Sequence, residues 1–401
     1  MKVVVAHNRY VSAQPSGENT VVDSELAMLA EAGVEVLPFQ RTSDEIPNLP
    51  TSEKAMLPVS PIYARRAQRE LSELLRRERP DVVHLHNPYP LLSPWVIRTA
   101  HAHRVPVVHT VHNFRQVCVA GVYYRDGQPC FDCRGKAYPY PAIQHGCYRG
   151  SRAQSVVMAT ALTAHRGTWR SVDRYIALTT AMAAHLRDYG IGDQQITVKP
   201  NSLPDPGPHN VAGDGFAYVG RLTEEKGLGL LLDAWRRHPV GALGPLTIIG
   251  DGPLREQVAA AAAARDDITY RGQVPHPAVL DAMRAASALI TPSTWDEVCP
   301  MVVVEALANA RPALVTDKGG LPFLVGAAPG AGGGAGDNPQ AAGWVSEPTV
   351  DALATALGQA RQQAAGLAET ARRRYLAAFS PEVISSQLLK IYSELAGSRA
   401  G

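Results

Sequence analysis

The 401-residue chain lacks an excess of charge of either sign: Lys and Arg number 39, Asp and Glu 37, which leaves +2 with the histidines neutral. A protein that grips an extended polyanion needs a surplus of cations, so nucleic acid is excluded as a partner. Aromatic residues are only 6%, yet the broad hydrophobic set reaches 45%, too apolar for a disordered chain. The 34 Gly and 31 Pro follow no triplet period, which excludes collagen. No apolar run approaches the roughly 18–20 residues of a membrane span. The opening run, Met1 to His7, is too short for a signal peptide. The expectation is a cytoplasmic globular protein, and at roughly 100–200 residues per domain it should have two.

What the chain does have is alternation. Short runs rich in Val and Ile recur at Lys2–His7, Asp81–His86, Val105–His112, Tyr175–Thr179 and Ile196–Pro200. A second series follows at Phe216–Gly220, Leu246–Gly250, Ile268–Arg271, Leu289–Pro292 and Ala313–Asp317. Runs of this length and composition, ending in Gly, Pro or polar residues, read as buried parallel strands. Amphipathic stretches lie between them; Val22, Leu26 and Leu29 share one face of a helix that stops at Gly33. Strand–helix repetition predicts doubly wound α/β domains. Four prolines between Lys199 and Pro208 interrupt both helix and strand. The expected division is 1–199, a linker at 200–208, a second domain at 209–379 and a helix at 380–401 that crosses back to the first. Residues 330–336, Gly-Ala-Gly-Gly-Gly-Ala-Gly, read as a flexible loop.

The sharpest chemistry is in the second half. Gly220-Arg221, followed by Lys226-Gly227, comes directly after an apolar run. Ligands of doubly wound folds lie at the carboxyl ends of strands, so a guanidinium and an ammonium there suit an anionic diphosphate. Gly250-Asp251-Gly252-Pro253 ends the next strand and allows close backbone approach. Glu297 and Glu305 flank Pro300, which suits the first turn of a helix. Both carboxylates can then accept from sugar or ribose hydroxyls, and the free helix N–H groups face a bound anion. Gly319-Gly320-Leu321-Pro322 supplies one more glycine-rich strand end.

This ordered set resembles the retaining GT-B glycosyltransferases of family 4, and the resemblance extends over nearly the whole chain. It implies two Rossmann-like domains facing across a cleft. It also implies transfer of a hexose-type sugar, without a metal or other cofactor, from a nucleotide-diphosphate donor (a UDP- or GDP-sugar first) to a hydroxyl acceptor. Attack would be front-face, with retention of configuration. Arg221 and Lys226 would hold the diphosphate, and Glu305 the ribose. Glu297, with the backbone at Cys299, Pro300, Met301 and Val302, would hold the transferred sugar. Gly220 and Gly250 would let the donor approach, and the backbone around Arg271 and Val274 would bracket the base. In the first half, Pro15-Ser16-Gly17-Glu18-Asn19-Thr20-Val21-Val22 looks like the family's Gly-Gly-x-Glu opening loop, with Ser16 replacing the first glycine. His86, Asn87 and His112 end strands, and His112 matches the histidine that touches the donor sugar. Gly17, Glu18, His86 and Asn87 would face the acceptor.

Four of the five cysteines, Cys118, Cys130, Cys133 and Cys147, are spaced C-x11-C-x2-C-x13-C in an insertion spanning 115–150. This resembles an insertion in a polysaccharide-type branch of family 4. The spacing is open to structural zinc on four thiolates, to free or redox-active thiols and to disulfides; zinc is the leading expectation. Arg65 to Arg79 holds six arginines with interleaved glutamates. A solvated helix face is the leading reading, with weak contact to an anionic membrane surface as the alternative. Three rivals to a transferase are a sugar-nucleotide epimerase, a phosphorylase and a non-catalytic sugar-nucleotide-binding subunit. A NAD dehydrogenase is disfavoured, since no G-x-G-x-x-G opens the first helix.

Overall fold

A computed structural model describes residues 1–13, 16–207, 211–327 and 340–397. Pro15, Pro208, the glycine-rich 330–336 and the last residues of the 380–401 segment lie outside the described residues. The chain forms two compact units. The first comprises Met1–Tyr123, Cys130–Ser202 and Ile384–Gly401; the second comprises Tyr124–Pro129 and Leu203–Val383.

The first unit is built on a parallel sheet of β1 (Lys2–Arg9), β2 (Glu35–Thr42), β3 (Val82–Leu85), β4 (Val107–Val111), β7 (Arg174–Ala177) and β8 (Ile196–Val198). Between β4 and β7 lies a short antiparallel hairpin of β5 (Tyr124–Arg125) and β6 (Gln128–Pro129). The strand order is β2-β1-β3-β4-β7-β8. Chain direction across the sheet reverses at β1, which lies between β2 and β3, so the crevice at the carboxyl ends of β1 and β3 is a topological switch point. One core packs Val3, Val5, Val82, Val108 and Ile176 against Ile384, Leu388, Ile391 and Tyr392 of the terminal helix Pro381–Gly397. Burying Ile384, Leu388 and Ile391 stabilises that docking by about 1.5–3 kcal/mol each.

The second unit has a parallel sheet of β9 (Phe216–Val219), β10 (Leu246–Ile249), β11 (Ile268–Tyr270), β12 (Ala288–Thr291), β13 (Ala313–Thr316) and β14 (Gly343–Ser346), ordered β11-β10-β9-β12-β13-β14. Its switch point lies between β9 and β12. Apolar residues fill both faces of these strands. Along β12, Ile290 joins a core with Trp235 and Trp344, while Leu289 joins one with Val303, Leu307 and Tyr375. That two-sided burial is why these runs are continuously apolar rather than alternating.

Sequence patterning missed β2, β14 and the hairpin. β2 carries Pro38 and is mostly half-buried; as an edge strand it tolerates a missing N–H. β14 is a four-residue edge strand. The first helix begins at Gly17, earlier than its apolar pattern, because the Ser16 hydroxyl accepts from Asn19 N (3.4 Å) and caps it. Its buried face is Val21, Val22, Glu25, Met28 and Leu29, so a carboxylate occupies a position expected to be apolar. Lys199, Asn201 and Ser202, from the stretch expected to be a linker, are buried within the first unit. The arginine-rich helix Arg65–Glu78 buries Ala67, Gln68, Leu71 and Leu75 and pairs Arg66 with Glu70 and Glu53.

Candidate active site

Each unit gathers polar side chains at its switch point. In the second unit the chain leaves β9 through Gly220 and Arg221, turns through Glu224–Lys226 and enters helix Leu228–Arg236. Gly227 makes this turn possible: its φ is 71°, and a Cβ there would meet the Pro292 carbonyl oxygen at 1.7 Å. The close approach brings Lys226 against the segment after β12. Lys226 Nζ donates to Glu297 Oε1 at 2.6 Å, and Ser293 Oγ donates to the same oxygen at 2.7 Å. Gly319 closes the other side, with φ 56° and the Glu297 carbonyl 2.3 Å from where its Cβ would be; Gly320 N donates to that carbonyl at 2.6 Å. Burial drives the Glu297 carboxyl upward, but Lys226 and Ser293 outweigh it and hold the group below the usual carboxylate range.

The remaining second-unit residues occupy distinct places. Arg221 is 61% exposed and donates to Glu225 Oε1 at 3.2 Å, not to Glu297. Glu305 lies in the second turn of helix Met301–Ala308, with its Oε1 3.3 Å from His276 Nε2, a histidine that linear motifs did not indicate. Pro300 is the cap residue, one position ahead of the first turn. No side chain caps this helix, which leaves its leading N–H groups unclaimed by side chains. Cys299, Met301 and Val302 are half-buried against the core beside this helix. Gly250 N donates to Gly272 O and Arg271 N to Ile248 O, both at 3.0 Å, while Val274 packs beside Ile249.

In the first unit a small open recess is lined by Glu18, Tyr89, His86, His112 and Arg115, among others. Six residues on its lining carry a buried polar atom without a hydrogen-bond partner: Glu18 Oε1, His86 Nε2, Tyr89 Oη, Arg115 Nε, Gln116 Oε1 and Trp169 Nε1. Buried polar groups are normally satisfied, so a cluster of orphans around one space marks a place for a polar ligand. Burial pushes the Glu18 carboxyl up to about 7, against the opposing pull of Arg115 and of the Tyr10 hydroxyl, which donates to Glu18 Oε2 at 3.1 Å. Asn87 is engaged internally: its Nδ2 donates to Asn8 O (2.9 Å) and Tyr89 O (3.1 Å). Gly17 is exposed, with nothing within 4 Å of a Cβ built on it. Tyr89, Arg115 and Gln116 were missed; the only signal was the polar run following His112.

Each of the four clustered cysteines is half-buried as a thiol. Burial pushes Cys133 up to about 11, and Cys118, Cys147 and Cys130 each add to the shift, so the four thiols converge. Closed tetrahedral zinc sets sulfurs roughly 3.8 Å apart, from a Zn–S bond of about 2.3 Å. Among the described residues, however, the one set of three or more candidate ligand atoms within 4.8 Å of one another is Glu25, His84 and His86. No helix among the described residues is long and apolar enough to cross a membrane.

Residues 16–202 match the family described as "Glycosyl transferase 4-like domain", and residues 213–362 match "Glycosyl transferases group 1". The chain therefore belongs to the two-domain glycosyltransferases of GT-B fold. Among curated proteins it is 29% identical over 269 residues to 2-deoxystreptamine N-acetyl-D-glucosaminyltransferase of Streptomyces fradiae, covering 63% of this chain and 58% of that protein. It is 28% identical to alpha-D-kanosaminyltransferase of Streptomyces kanamyceticus over 40% of this chain and 38% of that one. The matches thus span only part of these relatives' length. Among solved structures, sucrose-phosphate synthase of Thermosynechococcus elongatus is similar with a TM-score of 0.69 at 19% identity, covering 99% of each chain. Anabaena Alr3699/HepE in complex with UDP is similar with a TM-score of 0.62 at 14% identity, over 98% of this chain and 100% of that one. At such identity these two share the fold.

Proposed function

We propose that this protein transfers a hexose-type sugar from a nucleotide-diphosphate donor to a hydroxyl acceptor, with retention at the anomeric carbon. The observation that carries the reading is the Lys226–Glu297–Ser293 cluster at the second unit's switch point, beside an uncapped helix N-terminus. Lys226 has three N–H donors, so its bond to Glu297 leaves two for a diphosphate. Arg221, whose guanidinium is mostly in solvent, turns from Glu225 to the same anion. These cations and the leading N–H groups of helix Met301–Ala308 stabilise the leaving diphosphate. Glu297, ionised at neutral pH, accepts from hydroxyls of the transferred sugar, and Glu305 accepts from the ribose. The acceptor hydroxyl attacks from the face the diphosphate leaves and gives its proton to a donor phosphate oxygen. The first-unit recess, with donors and acceptors both unfilled, suits a polyhydroxylated acceptor. UDP- and GDP-sugars are the first donors to test; UDP is named in the complex of the structural relative HepE.

The test is a thermal-shift panel of UDP-, GDP-, ADP- and dTDP-sugars, since a bound donor raises the melting point by mass action. NMR of the product made from the stabilising donor then reads its anomeric configuration. An inverted product overturns retention. Conversion of the donor without an acceptor would point to an epimerase, and dependence on inorganic phosphate to a phosphorylase.

A further inference from the structure

His86 is fully enclosed between two neighbours. Its Nδ1 is 2.9 Å from His112 Nε2, and its Nε2 is 3.2 Å from Glu25 Oε1. The second contact is out of line in this conformation, and His86 Nε2 has no other hydrogen-bond partner, while Glu25 Oε1 also lies 3.1 Å from His84 Nδ1. Two polar atoms that face each other in a core constrain where the proton is. On His86 Nε2 it faces the carboxylate and answers both atoms; on Nδ1 it would leave two acceptors opposed, each unmet group costing stability. The carboxylate itself is ionised. Burial raises the Glu25 pKa, but His84 and the Lys199 ammonium outweigh it and hold the group well below the usual range. Burial lowers His86 to about 4 and drives His112 well below its ordinary value, so these two imidazoles are neutral.

We propose that Glu25 and His86 are positioning residues that fix the tautomer of His112. The Glu25 carboxylate takes the Nε2–H of His86, His86 Nδ1 takes the Nε2–H of His112, and His112 is left with an unprotonated Nδ1. That nitrogen has no protein partner among the described residues, and His112 lines the first-unit recess. His112 thus offers a lone pair to a sugar hydroxyl and accepts its hydrogen bond, whereas the opposite tautomer would donate. The charged and titratable groups facing this chain are His7, whose ring is 6.1 Å from that of His86, His84 at 4.3 Å, and Lys199, whose Nζ is 3.4 Å from Glu25 Oε2. A metal at Glu25, His84 and His86 is a poorer account. The Lys199 ammonium already neutralises the carboxylate, and both His84 nitrogens are engaged, Nε2 with Thr110 Oγ1 (2.7 Å) and Nδ1 with Tyr392 Oη (2.6 Å).

The role of the lone pair rests on the glycosyltransferase reading; the tautomers do not. The experiment is long-range ¹H–¹⁵N NMR of histidine-labelled full-length protein, without substrate, for wild type and Glu25→Gln. Wild-type His112 should be protonated at Nε2 and bare at Nδ1. In Glu25→Gln, Lys199 claims the carboxamide oxygen, so the NH₂ faces His86 Nε2 and makes it an acceptor. The chain then reverses, and the His112 proton moves to Nδ1. Transfer by the reversed variant should fall about tenfold in kcat, the loss of one substrate hydrogen bond, with the donor KM little changed. A wild-type His112 protonated at Nδ1, or a folded Glu25→Gln with an unaltered His112 tautomer, overturns the relay. If the variant fails to fold, the wild-type spectrum decides alone. A reversed tautomer with undiminished turnover overturns the assigned role of the lone pair.

Discussion

Removing the Lys226 ammonium while keeping its aliphatic bulk, as in Lys226→Met, exposes how the second-unit site is balanced. Lys226 is 20% exposed and Glu297 only 6%, so the variant leaves a buried carboxylate with Ser293 as its chief remaining partner. Breaking a buried pair by removing one member costs about 3–5 kcal/mol. At roughly 2–4 °C per kcal/mol for a unit of this size, the second unit's melting point should fall by about 6–20 °C at pH 8. The sign of the pH dependence follows from the folded-state pKa. In the wild type Glu297 is depressed, so its contribution is full above the ordinary carboxylate range and fades as pH falls through the lower folded value. Without Lys226, burial dominates and the carboxyl protonates more readily, so the deficit should shrink as pH falls toward 5. Lys226→Met combined with Glu297→Gln removes the stranded charge and should recover most of the loss. Differential scanning calorimetry of the wild type, both single variants and the double variant across this pH range makes the measurement. A double variant as unstable as Lys226→Met, or a Lys226→Met deficit that grows on acidification, would refute the reasoning.

Arg221→Ala should abolish sugar transfer while leaving the melting point within about 0.5 kcal/mol equivalent of wild type, because the side chain is 61% exposed; unchanged turnover would contradict its diphosphate role. Glu18 has a carboxyl raised from 4.5 to about 7, so it destabilises the fold progressively as pH rises through that interval. Glu18→Gln should flatten that part of the stability–pH curve, and a curve identical to wild type would deny the shift. Metal analysis of protein purified without chelator should find about one zinc per chain if the four thiolates close around a cation. Metal-free protein with four titratable thiols would retire zinc in favour of free cysteines.

Much of the second-unit site was legible because its members are punctuation in a linear pattern. Arg221 and Lys226 follow β9, and Glu297 and Glu305 bracket a proline; a strand end and a helix start fix both placements. The first-unit site was far less legible. Glu25 belongs to no motif in the linear sequence, yet the helix turns it into the core. Its partner Lys199 is 174 residues away and reads as the start of a proline-rich linker. His276 opposite Glu305, and Tyr392 against His84, likewise come from elements that no local spacing connects.

By itself the sequence determined the alternation of elements, the two parallel sheets and the positions where charge meets a strand end, since periodicity and turn chemistry are local properties. It did not determine β2, which carries Pro38 and is mostly half-buried, or β14, whose four residues are too short a run to stand out. Only the tertiary structure decided which carboxylate meets which cation. Two charges in a low-dielectric interior are tolerable only as neighbours, and adjacency across the switch point of a sheet is set by strand order. It also decided the environment of His112: one buried carboxylate, two residues away along a chain of hydrogen-bonding groups, sets which nitrogen carries the proton.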